Sequence, residues 1–77
     1  MNDNYLNQKI EKIFLNIIKK KINSKSTNKN TKNWDSLNHV KLILSLEKNF
    51  KIKFALSEFD QLNSFLSIKK IIKSKLK

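Results

Sequence analysis

The 77-residue sequence contains no cysteine, no glycine and no proline, and each absence removes something. Without cysteine there is no disulfide framework and no thiolate metal site, so stability has to come from packing. Without glycine there is no phosphate-cradling loop of the nucleotide-binding kind. The one histidine, His39, and the six acids, Asp3, Glu11, Asp35, Glu47, Glu58 and Asp60, make no spacing that suggests a metal site or an acid/base pair. Ser36 and His39 stand one helical turn apart, but no third group completes a nucleophilic constellation. An enzyme is therefore not expected. No apolar run approaches the roughly 20 residues needed to cross a bilayer. Residues 1–8 lack a basic segment followed by an apolar block. Neither a membrane span nor a secretion signal is expected, and a cytoplasmic setting is compatible with the missing cysteines.

Arginine is absent too, so all 17 basic residues are lysine and the net charge is +11. Such a charge raises nucleic acid as a partner, because lysines that neutralise phosphates supply affinity whatever the base sequence. Two features argue against it. There is no guanidinium for bidentate reading of phosphate or guanine, and the lysines are scattered through every segment. Composition offers a plainer account. Alanine occurs once, at Ala55, while Lys, Asn and Ile abound, as codons of an AT-rich genome produce. No nucleic-acid partner is expected.

What is present is helical periodicity in a chain of one-domain length, 1–77. Over residues 5–22 the apolar residues Leu6, Ile10, Ile13, Phe14, Ile17 and Ile18 recur at three- and four-residue steps, with Asp3 or Asn4 available as a cap. Residues 23–33 carry no apolar side chain and read as a solvated, loose loop. A second helix starts at Asp35 or Ser36, either of which can cap, and runs to about Lys48. Its apolar arc is wide, so Leu42, Ile43, Leu46 and Phe50 are assigned inward and Leu37, Val40 and Leu44 to an edge that serves either as core or as a recognition patch. Phe50, Ile52 and Phe54 alternate with lysines like a short strand, yet no second strand exists to pair with it. An extended connector planting all three in a helical core is the better reading. Ser57 can cap a short helix through Glu58, Phe59 and Leu62. Ser64 or Ser67 opens a last helix, with Phe65, Ile68, Ile72 and Leu76 buried and lysines 69, 70, 73, 75 and 77 outside. The expected fold is all-α, three main helices plus one short one.

The run 34–54 holds Trp34-Asp35-Ser36-Leu37, then His39, then Leu46-Glu47, Phe50 and Ile52. It resembles the acyl carrier protein family, in which Asp-Ser-Leu opens the second helix and Leu-Glu followed by Phe and Ile closes it. The order of the remaining helices extends the resemblance over essentially the whole chain, and the form with Trp34 and His39 looks most like carriers of specialised pathways. The resemblance implies a four-helix acyl-carrier-like bundle. A phosphopantetheinyl transferase would move phosphopantetheine from coenzyme A onto the Ser36 hydroxyl. Acyl groups, delivered by a loading ligase and passed to acyl- or other transferases, would then ride on the arm as thioesters. Asp35 would support the attachment site. Leu37, Asn38, Val40, Lys41, Leu44, Glu47 and Lys48 would face partners, the bundle interior would accept the acyl chain, and the carrier would be a monomer that catalyses nothing. An aminoacyl carrier would use the same Ser36 chemistry, and a small lysine-rich binder of nucleic acid or membrane surfaces is the reading from another class.

Each residue also has a plainer role. Ser36 and Asp35 can be simple caps, Trp34 a staple of the loop to the bundle, and His39 a solvated helix residue near the arm. The sequence also departs from the family. Asn33 stands where a glycine is common, though asparagine tolerates a left-handed backbone. Carriers are typically acidic on the second helix, whereas here the corresponding stretch offers Asn38, Lys41 and Lys48, with Glu47 the sole acid.

Overall fold

The computed structural model describes residues 3–76. Helix α1 (Asp3–Ile18) is followed by α2 (Ser36–Phe50), a short 3-10 helix (Leu56–Gln61) and α3 (Phe65–Lys75), with no strand among the described residues. The all-α expectation holds. Helix α1 packs against both α2 and α3, and one continuous apolar cluster joins all three. No helix among the described residues is long and apolar enough to cross a membrane.

Helix α1 buries Leu6, Ile10, Ile13, Phe14 and Ile18, the three- and four-residue stripe that makes one face of a helix. It already includes Asp3 and Asn4, so neither is its cap, and the position ahead of it lies outside the described residues, as does Lys77. The helix stops four residues short of the expected Ile22. Lys19 turns left-handed, φ 65°, its N–H bonds to Leu15 O at 3.1 Å, and the Asn33 side-chain amide covers Ile18 O at 3.2 Å. The last turn is closed there, and Ile22 reaches the core from the loop instead.

Asp35 caps α2, its Oδ1 accepting from the Asn38 N–H at 2.9 Å. Leu42, Ile43, Leu46 and Phe50 are the buried residues of α2, as their periodicity predicts, while Ile17 and Ile52 are half-buried against the cluster. The helix ends on left-handed Lys51, whose N–H bonds to Glu47 O. The connector after it belongs to no helix or strand and is anchored by buried Phe54 and by Glu47 Oε2, which accepts from the Phe54 N–H at 2.9 Å.

Ala55, not Ser57, sits at the cap of the 3-10 helix. An alanine has no capping oxygen, so Glu58 reaches back instead, its carboxylate accepting from the Ala55 N–H at 2.7 Å. Ser64 caps α3, with its Oγ accepting from the Ser67 N–H. At the far end Leu76, the capping residue after Lys75, is 37% exposed rather than buried.

The loop of residues 23–33 is not loose. Lys25 N–H bonds to Asn23 Oδ1, Thr27 N–H to Asn30 Oδ1, and the Asn30 amide to Lys25 O. Two backbone bonds, Asn28 N–H to Asn63 O and Phe65 N–H to Ser26 O, tie it to the start of α3. Apolar anchors are missing there, and short polar side chains bonding their own backbone take their place.

Candidate functional site

Ser36 is the first helical residue of α2, one step after its cap. Because Asp35 occupies the capping position, the Ser36 hydroxyl is free of that role. It is exposed and has no hydrogen-bond partner among the described residues. The plain reading of Ser36 as an N-cap is therefore incorrect, and Asp35 has the role. The N–H groups of Ser36 and Leu37 belong to the first turn and have no helical carbonyl to bond. A negatively charged group on Ser36 would meet those two donors and the positive end of the helix.

Two further residues before the helix, Asn33 and Trp34, fix where that serine stands. Asn33 is left-handed, φ 74°, and its side chain bonds the end of α1. Its carbonyl accepts from the Asn38 side-chain amide at 2.7 Å. Trp34 is buried, edge-on to Phe14 with ring centroids 4.8 Å apart. It staples the loop to the bundle, as its position before the cap suggests.

His39 is not the solvated residue its sequence position suggests. It is half-buried, and its Nδ1 lies 2.9 Å from Trp34 Nε1, its Nε2 2.9 Å from Phe59 O. An indole N–H can only donate, so Nδ1 accepts and the ring proton sits on Nε2, which donates to the Phe59 carbonyl. The result is a clamp: Trp34 to His39 to Phe59, joining the loop, α2 and the 3-10 helix beside Ser36. The Trp34–His39 half is legible as a polar version of the residue pair that brackets a helix start. The Phe59 half is not, because a backbone carbonyl leaves no signature in sequence.

Beside Ser36 lies an open groove of about 410 Å³ whose walls include Asn28, Lys29, Asp60 and Asn63. Sequence reasoning assigned none of these four to a site.

The expected partner face divides into two sets. Leu37, Val40 and Leu44 are exposed by 66%, 47% and 60%, enough to make this edge of α2 surface and not core. Lys41 and Lys48 are exposed beside them. Asn38 and Glu47 are each half-buried and committed elsewhere, Asn38 to Asn33 O and Glu47 to the Phe54 N–H. The free face of α2 is thus apolar and basic. No family model matches this chain, and no curated protein matches it.

Proposed function

We propose that this chain is a non-catalytic carrier of the acyl-carrier-protein type, with Ser36 as the attachment point of a phosphopantetheine arm. The observation that carries the reading is the division of labour at the start of α2: Asp35 caps, and Ser36 presents an exposed, uncommitted hydroxyl next to two free backbone donors. The resemblance of residues 34–54 to the family adds to it. A separate phosphopantetheinyl transferase would form the bond between Ser36 Oγ and the pantetheine-side phosphorus of coenzyme A. The pyrophosphate bond breaks, adenosine bisphosphate leaves, and the hydroxyl proton passes to a base on the transferase. The two N–H groups hold the product phosphate, and the rigid helix fixes the root of a flexible arm. Thioester cargo, loaded by a ligase and collected by acyl- or other transferases, would ride on the arm's thiol, and Leu37, Val40 and Leu44 would give those enzymes a common apolar contact.

The test is a mass measurement after incubation with coenzyme A and a promiscuous transferase. A single phosphopantetheine addition is expected on the wild type and none on Ser36→Ala. Because Asp35 holds the cap, Ser36→Ala should unfold within about 0.5 kcal/mol of the wild type, the range of surface substitutions. An alanine variant that still gained the arm would refute the assignment.

A further inference from the structure

A carrier can take its cargo into the bundle or leave it outside, and the interior is the natural expectation for a long apolar chain. The route inward from Ser36 would pass between α2 and the 3-10 helix. That seam is where the clamp lies. His39 donates across it to Phe59 O and is itself held by Trp34; Trp34 is buried against Phe14, which has no exposed surface. Leu42, Ile43, Leu46, Leu62 and Ile68 are likewise at most 1% exposed. A chain rooted at Ser36 would have to break the clamp and displace close-packed side chains to enter.

The groove outside the clamp is more polar. Its lining includes Lys29, Asp60, Asn28 and Asn63 beside Ser36, and the clamp residues Trp34, His39 and Phe59 form its inner edge. Its shape is fixed by two bonds, Asn28 N–H to Asn63 O at 2.9 Å and the Asn63 amide to Asp60 O at 3.1 Å. An apolar chain laid there would strip water from groups it cannot satisfy, whereas amide, hydroxyl and ammonium groups would replace that water in kind.

We propose, on the reading of Ser36 as the arm's root, that the cargo is a short amino- or hydroxy-substituted acyl group, held with its arm in the groove outside the Trp34–His39–Phe59 clamp and never inside the bundle. Lys29 serves its oxygens and Asp60 its ammonium or hydroxyl hydrogens.

The chain has no cysteine, so Ser36→Cys supplies a unique thiol and the cargo can be tested without any transferase. Iodoacetamide-linked pantetheine arms ending in a β-alanyl or an octanoyl amide are attached by alkylation, the thiolate displacing iodide to leave a thioether. The plain pantetheine arm is the reference. Amide NMR spectra should show the β-alanyl arm shifting Asn28, Lys29, Asp60 and Asn63, with the shifts lost in the Lys29→Ala/Asp60→Ala background. The octanoyl arm should leave Leu46, Phe65 and Ile68 where the plain arm leaves them and should not raise the melting temperature. An octanoyl arm that moves those core amides and raises the melting temperature overturns the inference, and so does a β-alanyl arm that leaves the groove unmoved. Failure of the carrier reading shows separately, as a wild-type Ser36 that never gains phosphopantetheine, and it would end the cargo assignment with it.

Discussion

At the scale of single residues, a chain without glycine has to build its left-handed positions from other side chains, and it does so at Lys19, Asn33 and Lys51. Asparagine is the residue that sequence reasoning can place there, since its short amide bonds locally; at Asn33 that amide does bond, to the end of α1. A lysine gives no such signal, which is why the ends of α1 and α2 are the poorly legible parts of those helices. A left-handed non-glycine residue costs about 1–2 kcal/mol, part of which glycine would return to the greater freedom of the unfolded chain. Lys51 makes its cap bond through the backbone alone, so Lys51→Gly should keep it. The substitution should stabilise the protein by up to about 1 kcal/mol, read as a rise in the urea midpoint with unchanged slope. A lowered midpoint would mean that the lysine side chain matters at that corner. His39 marks the other limit of legibility: its Phe59 partner is a main-chain carbonyl 20 residues away, and only the fold brings them together.

At the scale of elements, the three main helices and the inward set of α2 are readable because apolar spacing is a direct consequence of 3.6-residue geometry. The connector is readable for a different reason, the lack of any strand to pair with it. Phe50 joins the two, as the last residue of α2 with its ring 6% exposed and Lys9 Nζ 4.8 Å above it. Truncating a buried phenylalanine costs about 3–5 kcal/mol, a large share of the stability of so small a domain. Phe50→Ala should therefore be largely unfolded or melt far below the wild type by circular dichroism, and a variant with wild-type melting would contradict the packing. The cap of the 3-10 helix escapes sequence reasoning because Ala55 has nothing to cap with, and Glu58 substitutes from inside the turn. That carboxylate is held below its ordinary value of 4.5, first by the Ala55 N–H and then by Lys75, whose Nζ is 3.0 Å away. A group whose pKa is depressed by folding stabilises fully above its unfolded value, and the stabilisation is lost as pH falls through the folded one. The gap in stability between wild type and Glu58→Gln should thus be present near neutrality and close in acid, below 4.5. A gap independent of pH would show that the charge on Glu58 is not what holds the turn.

At the scale of the whole molecule, Ser36 is legible because its neighbours in sequence are also its neighbours in space, whereas the groove walls come from the loop and from the end of the 3-10 helix and only the fold assembles them. The same assembly decides the charge of the exposed face of α2. Glu47 is the one acid that the sequence sets on that stretch of α2, and it is turned to the Phe54 N–H, leaving exposed Leu37, Val40 and Leu44 rimmed by Lys41 and Lys48. Charge complementarity governs encounter rate and partner choice more than final affinity. A loading enzyme suited to this face would present acidic or apolar groups to the two lysines, and one that reads an acidic helix should meet it slowly. Drift in an AT-rich genome makes the opposite forecast, that the lysines are incidental. The double substitution Lys41→Glu/Lys48→Glu separates the two, because both positions are exposed and neither is in the buried cluster. On the proposed carrier function, it should slow phosphopantetheine loading by the native transferase and speed loading by a generic one that prefers acidic carriers. Both changes should shrink between low salt and about 0.5 M, where screening shortens the reach of surface charges to a few ångströms. Equal rates for wild type and variant with the native enzyme at low salt would assign the basic face to composition alone.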